Sequence, residues 1–154
     1  MTDKIREYVS EKTSYYMPKY EKLTLSGKKV SWNWAAFWAP HYWMAYRKMY
    51  VEAVIYFIFW KVMSLLSDVM IVFMRQTGRI MPALFFMVID IALMFVVPMF
   101  ANYYYLSKME RFAVAEDTMT DGQINSQRIR YAGVNKIAVW IAIVLTLLWA
   151  FILW

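Results

Sequence analysis

Three ionisable side chains interrupt the long apolar stretches of this sequence, and they are its clearest candidates for chemistry. Lys61 and Asp68 lie seven residues apart, which is two helical turns, and Ser64 lies between them; Asp90 lies in the next apolar stretch. An ionisable group near the centre of a bilayer costs about 2.5–3.5 kcal/mol. Lys61, Ser64, Asp68 and Asp90 therefore form a candidate intramembrane polar site.

The spacing of these residues predicts how they meet. In an antiparallel helical hairpin folded about Gly78, Asp90 reaches the level of Ser64, between Lys61 and Asp68. One lysine between two carboxylates leaves a local charge of about −1 if all three ionise. We expect an ion pair that fixes the register of the hairpin. A proton or ion pathway, or a contact with a charged residue of a partner, are the alternatives.

Other kinds of site find little support in the residue types. The chain has no Cys and a single His, which excludes thiolate sites and multi-histidine metal sites. The segment that starts at Asp117 superficially resembles a calcium loop, but Arg128 occupies the twelfth position, where an acidic ligand is needed. We therefore predict no catalytic residue, no cofactor and no metal. An enzyme that modifies lipids with His41 at the membrane interface is the weaker alternative.

The elements that position these residues follow from composition. Of the 154 residues, 62% are hydrophobic and 18% are charged, against roughly 25% charged in a soluble domain. This balance predicts an all-α integral membrane protein with three transmembrane helices and an aromatic-rich interfacial or re-entrant helix. The two predicted parts are a polar N-terminal segment at 1–31 and a membrane domain at 32–154. The membrane domain comprises the interfacial helix 32–48, spans at about 49–74, 82–106 and 137–154, and a loop at 107–136.

The aromatic run at 32–50 holds eight aromatic residues, four of them Trp, and its apolar core is too short to cross a bilayer. Trp and Tyr prefer the headgroup level, where a ring and a polar group are both accommodated. The predicted interfacial anchors are Trp32, Trp34, Trp38, His41, Trp43, Arg47 and Lys48. We expect the His41 imidazole to be hydrogen-bonded at that level.

Basic residues predict the orientation. Segments 1–48 and 107–136 hold nine and five Lys and Arg residues, whereas the turn 75–79 holds two. Because Lys-rich and Arg-rich loops stay in the cytoplasm, we predict a cytoplasmic N-terminus, three crossings and an external C-terminus, with Trp154 at the far interface. The net charge of +6 then reflects orientation and contact with anionic headgroups, and nucleic-acid binding is not expected.

Local signals predict the ends of the shorter elements. Thr2 or Asp3 can cap a helix whose apolar side holds Ile5, Val9 and Tyr16 and which ends before Pro18. Two turns are expected, one at Ser26–Gly27 and one at Asp121–Gly122. The start of the chain mixes acidic and basic residues, which is unlike a secretory signal.

Three segments carry a more specific pattern: YMPKYEKL at 16–23, SWNWAAFWAPHYWMAYRKMY at 31–50 and ANYYYLSKME at 101–110. Together they resemble a family of small bacterial inner-membrane proteins of unknown function. The resemblance covers most of residues 16–110 and excludes the last apolar stretch. It implies a bacterial inner-membrane protein, and it implies no catalytic role.

Two functions remain compatible with these observations. The first is a non-enzymatic accessory subunit that binds a membrane-protein partner or a second copy of itself. The second is an oligomeric small transporter or proton pathway lined by Lys61, Asp68 and Asp90, since three helices alone cannot surround a pore.

Overall fold

The computed structural model describes residues 1–152, and within them the chain is helical with no β-strand. The position expected for Trp154 lies outside these residues. The helices are α1 Thr2–Val9, α2 Thr13–Ser26, α3 Trp34–Trp38, α4 Pro40–Tyr46, α5 Tyr50–Thr77, α6 Met81–Ala115, α7 Asp121–Tyr131 and α8 Lys136–Ile152, with a 3₁₀ turn at Glu116–Thr118.

Two helices are long and apolar enough to cross a membrane. They are α5, with a mean hydropathy of 1.9 in its best window, and the continuous helix Met81–Thr118, with 2.5. The helices α7 and α8 count as a third only when they are taken together across a 42° bend. Residues 1–152 therefore hold two helices that are long and apolar enough to cross a membrane, or three if α7 and α8 form one bent span.

The buried core lies at one end of these long helices. There α1 and α2 pack against the end of α6, and α4 packs against α5 and α8. We call this part the head: α1, α2, α4 with the residues 47–49 that follow it, and residues 101–115 of α6. Its most deeply buried apolar residues are Ile5, Tyr8, Val9, Met49, Tyr105, Leu106, Met109 and Ala113, and Ala36 of α3 packs into the same core. By contrast, hardly any residue in the apolar windows of the two long helices is buried.

The N-terminal segment forms two helices where one was expected to end before Pro18. The chain breaks earlier, where Ser10 and Lys12 take positive φ angles of 56° and 60°. The second helix begins at Thr13 and continues through Pro18, which is its sixth residue, to Ser26. The apolar side is confirmed, since Ile5 and Tyr16 are buried, and the predicted turn after Ser26 is confirmed by Gly27 at φ 63°.

The loop at 107–136 is more ordered than its polarity suggests. The second long helix continues nine residues past the predicted end of the span, to Ala115. The turn expected at Asp121–Gly122 is wrong, because these two residues form the first turn of α7. Thr120 caps that helix in a capping box with Gln123, and the cap places the turn before Asp121.

Candidate functional site

His41 and Asp90, which the sequence keeps far apart, line the same cavity. This cavity has a volume of about 480 Å³ and lies between α3, α4, α5 and α6, with Thr146 of α8 at its edge. The imidazole stacks 6.0 Å from the Trp60 ring and 6.4 Å from the Tyr56 ring. The expected hydrogen bond is absent, because neither ring nitrogen has a partner among residues 1–152. The site is therefore an aromatic chamber with an imidazole and a carboxylate on its walls.

The predicted intramembrane polar site is only partly assembled. Asp90 accepts a hydrogen bond from Ser67 at 2.9 Å, so the hairpin register lies within one turn of the predicted Ser64 level. Asp68 is exposed on the outside of α5. Lys61 makes no ion pair within the described part of the chain, and its ammonium group lies 4.6 Å from the centre of the Trp60 ring. The expected Lys61–carboxylate pair is therefore wrong, because the lysine turns towards aromatic rings.

This placement gives a prediction for Lys61. We expect Lys61→Met to change the free energy of unfolding by less than about 1 kcal/mol, because only partly exposed cation–π contacts are lost. Lys108→Met is the matched control, since it breaks the ion pair between Lys108 and Glu52 and should cost about 2 kcal/mol. Thermal melts in detergent measure both. A large loss for Lys61→Met alone would show that this lysine has an anionic partner.

Arg47 occupies the centre of the head, with 1% of its surface exposed. Its guanidinium group donates hydrogen bonds to the carbonyls of Val9 and Glu11, at 3.2 Å each, and to the Tyr105 hydroxyl at 3.4 Å. The faces of Tyr16 and Tyr105 lie 4.4 and 5.3 Å from it. The cation thus ties the end of α1 to α4 and α6 through carbonyl dipoles and aromatic faces.

Glu116 is a second buried charge and joins three elements. Its carboxylate accepts two hydrogen bonds from Arg128, at 2.6 and 2.8 Å, and one from the Tyr8 hydroxyl at 2.8 Å. Gln127 adds a bond to the carbonyl of Phe112 at 3.0 Å. These bonds hold α7 against α1 and the end of α6, so the return loop is docked to the head.

The Glu116 contacts predict a pH dependence. Hydrogen bonds from Arg128 hold the pKa of this carboxyl below its ordinary value of 4.5, although burial opposes them. A lowered pKa in the folded state means that the stabilisation is complete above about pH 4.5 and is lost as the pH falls further. We expect the melting temperature to fall more steeply below this pH in the wild type than in Glu116→Gln. Parallel slopes for the two proteins would contradict this.

A buried pair of asparagines connects the aromatic segment to α6. The Asn33 amide donates to the Asn102 oxygen at 2.9 Å, and the Asn102 amide donates to the Trp32 carbonyl at 2.9 Å. The Asn33 side chain also caps α3 by accepting from the Ala36 N–H. This pair fixes where α3 leaves the head, and the sequence reasoning missed it because the two residues are 69 positions apart.

The predicted anchors divide into exposed and buried groups. Trp34 and Trp38 are exposed, at 63% and 75%. Trp43 and Arg47 are wrong as interfacial anchors, because both lie in the core of the head. Of the remaining predicted anchors, Lys48 donates to the Ile129 carbonyl of α7, and Trp32 and His41 pack among aromatic rings.

A family of proteins of unknown function, DUF2628, matches residues 6–111 of the chain. The match covers more than half of the sequence, including the aromatic segment at 31–50. The chain belongs to this family. In this DUF2628 protein the matched part begins within α1 and ends four residues before the end of α6, and α7 and α8 lie beyond it. No curated protein and no solved structure is detectably similar to the chain.

Proposed function

We propose that this DUF2628 protein is a non-enzymatic accessory subunit of the bacterial inner membrane, which binds a transmembrane helix of another membrane protein. One observation carries the proposal: an open apolar cleft of about 500 Å³ between α4, α5 and α8. Four small residues line it, Ala45, Ala53, Ala138 and Ala142. Small side chains let helix backbones approach closely in a membrane, where packing drives association.

The charged groups of the head support this role over catalysis. Arg47 is held by backbone carbonyls, and Glu116 is paired with Arg128. Lys108 is paired with Glu52 at the membrane end of the head. These groups are used to hold helices together, whereas the cleft beside α8 offers mainly apolar surface. Such a surface suits the binding of a helix better than the binding and turnover of a polar substrate.

The membrane arrangement that we propose has three spans, α5, α6 and α8, with α3 and α4 as a re-entrant pair. Glu52 and Lys108 mark the polar boundary at the head. Trp60 lies eight residues beyond Glu52, about 12 Å deeper along the helix. Because His41 packs on Trp60, the junction of α3 and α4 lies below that boundary.

The proposed topology predicts a labelling pattern. The chain has no native cysteine, so single cysteines can be introduced at the exposed positions Ser26, Thr77 and Asn125 and immediately after Trp154. The charge bias predicts that a membrane-impermeant thiol reagent labels only Thr77→Cys and the added C-terminal cysteine in intact cells. Labelling of Ser26→Cys or Asn125→Cys would contradict a cytoplasmic head.

Cross-linking from the cleft tests the function itself. A photoreactive residue at Ile141, which lines the cleft, should yield one adduct of defined mass in native membranes. Filling the cleft with Ala142→Phe should lower the yield about tenfold, because a loss of about 1.4 kcal/mol in binding free energy weakens a complex tenfold. Ala150→Phe, at an exposed alanine of the same helix outside the cleft, is the control and should have no effect.

Two results would contradict the subunit role. One is an adduct of twice the chain mass of 18.5 kDa, which would assign the cleft to a second copy. The other is an equal yield from wild type and Ala142→Phe, which would place the contact elsewhere.

A second candidate function, a proton pathway, is favoured by the cavity that His41 and Asp90 share. An imidazole and a carboxylate are the side chains that most often carry protons in membrane proteins. Proteoliposomes loaded with a pH-sensitive dye test this function. Proton entry that is lost in Asp90→Asn and retained in Asp68→Asn would favour it, because Asp68 lies outside the cavity. If protons do not enter proteoliposomes that contain the wild-type protein, the proton pathway is wrong.

A further inference from the structure

A second cleft lies beside α3 and α4, and it combines aromatic walls with positive charge. It has a volume of about 520 Å³ and lies where α2, α3 and α4 meet, with Val139 of α8 at one edge. The rings of Tyr15, Trp34, Trp38 and Tyr42 line it. Trp34 and Trp38 are exposed, so one wall of the cleft presents indole rings of the kind that prefer membrane interfaces.

The floor of this cleft includes Arg47, a buried cation. No carboxylate lies within 4.0 Å of its guanidinium group in residues 1–152, and its Nε atom has no hydrogen-bond partner there. Taking a charge out of water is costly unless an opposite charge compensates it. The carbonyls of Val9 and Glu11, the Tyr105 hydroxyl and the faces of the Tyr16 and Tyr105 rings compensate it with partial charges only. An anion near this floor would complete the compensation.

A second cation stands at the rim. Lys12 is exposed, lines the cleft and is held there by the left-handed backbone turn between α1 and α2. The acidic group next to it, Glu11, accepts a hydrogen bond from the Tyr46 hydroxyl at 2.8 Å. The cleft therefore presents two cations, Lys12 and Arg47, and the nearby Glu11 carboxylate is hydrogen-bonded to Tyr46.

We propose that this cleft binds an anionic phospholipid, with its phosphate between Lys12 and Arg47 and its acyl chains along Trp34 and Trp38. A free phosphate has the same charge chemistry but gains nothing from an aromatic wall. An amphiphile uses both, because Trp and Tyr rings suit the boundary between headgroups and acyl chains. The cleft thus selects one lipid class at the position where the head meets the membrane.

Lipid binding by the full chain in neutral detergent tests the proposal. The probes are short-chain phosphatidylglycerol, short-chain phosphatidylcholine and inorganic phosphate. The two lipids are titrated below their micellar concentrations, and tryptophan fluorescence is measured for all three. We expect phosphatidylglycerol to bind at least about tenfold more tightly than phosphatidylcholine, since each cation near an anionic lipid adds about 1 kcal/mol, or about fivefold. Equal binding of the two lipids would overturn the proposal. Displacement of phosphatidylglycerol by millimolar phosphate would overturn the assignment to a lipid.

Two variants that leave Arg47 in place locate the site. Lys12→Gln should weaken the preference for phosphatidylglycerol about fivefold, and Ala35→Phe should abolish it by filling the cleft. Their controls are Lys22→Gln and Ala92→Phe, at exposed positions that do not line this cleft. Unchanged circular dichroism and melting show that each variant is folded. If Lys22→Gln weakens binding as much as Lys12→Gln, or if Ala35→Phe retains the preference, the lipid is bound by diffuse charge and the proposed site is wrong.

Discussion

Replacing Arg47 with methionine is expected to lower the free energy of unfolding by about 3–5 kcal/mol, the largest effect of any single change in the head. The substitution removes the donors that satisfy the carbonyls of Val9 and Glu11. Methionine cannot donate a hydrogen bond, so the buried carbonyl of Val9 and the partly buried carbonyl of Glu11 lose this donor. The aromatic faces of Tyr16 and Tyr105 also lose the cation between them.

Arg47→Lys separates charge from geometry. Lysine keeps the positive charge but lacks the planar fork that reaches two carbonyls and a hydroxyl at once. We expect it to recover less than half of the loss. Thermal and chemical unfolding in detergent, followed by tryptophan fluorescence, measure both variants. A melting temperature of Arg47→Met within a few degrees of the wild type would show that the guanidinium group does not join α1 to α4 and α6.

The second large effect is expected at Arg128. Arg128→Met leaves the Glu116 carboxylate buried at 4% exposure with only the Tyr8 hydroxyl and Lys4, at 3.9 Å, beside it. Removing one partner of a buried pair costs roughly 3–5 kcal/mol, and because Arg128 is partly exposed we expect about 3 kcal/mol. Glu116→Gln should cost less, about 1–2 kcal/mol, because Arg128 keeps its contact with Glu7.

The double variant Glu116→Gln with Arg128→Met distinguishes a coupled pair from two independent sites. It removes both charges, so it should be more stable than Arg128→Met alone, because no carboxylate is left buried without its partner. Unfolding curves of the four proteins give the coupling. Losses that simply add would contradict the pairing.

The membrane helices could be predicted from the sequence because their signal is local. A long, mainly apolar stretch dictates a helix of a given length, so α5 and the start of α6 lie within a few residues of their predicted positions. The Gly78 turn similarly fixed the register of the hairpin, and Asp90 meets Ser67 within one turn of the expected level. Periodicity also identified the buried side of α1, including Ile5.

The head and the cavities depend on contacts between distant residues, for which a single sequence carries no pattern. Arg47 reads as an interfacial basic residue because it adjoins Lys48, yet it lies in the core, bonded to a carbonyl 38 positions away. His41 and Asp90 share a cavity only because the chain breaks at Ala39, so that α3 packs against α6 while α4 packs against α5. A polar residue inside an apolar stretch, such as Asn102, was the one local signal of such a contact.

The central claim is that this chain is an accessory subunit bound to another membrane protein. The mass of the protein extracted with its surrounding lipids tests this claim most directly. Native membranes are solubilised with a polymer that keeps the bilayer, and native mass spectrometry then gives the protein composition of each particle. We predict a single complex that holds this chain and one other membrane protein at a fixed ratio and that dissociates in Ala142→Phe but not in Ala150→Phe. A particle that contains only this chain, whether as a monomer or as a dimer of 18.5 kDa subunits, would contradict the role as an accessory subunit.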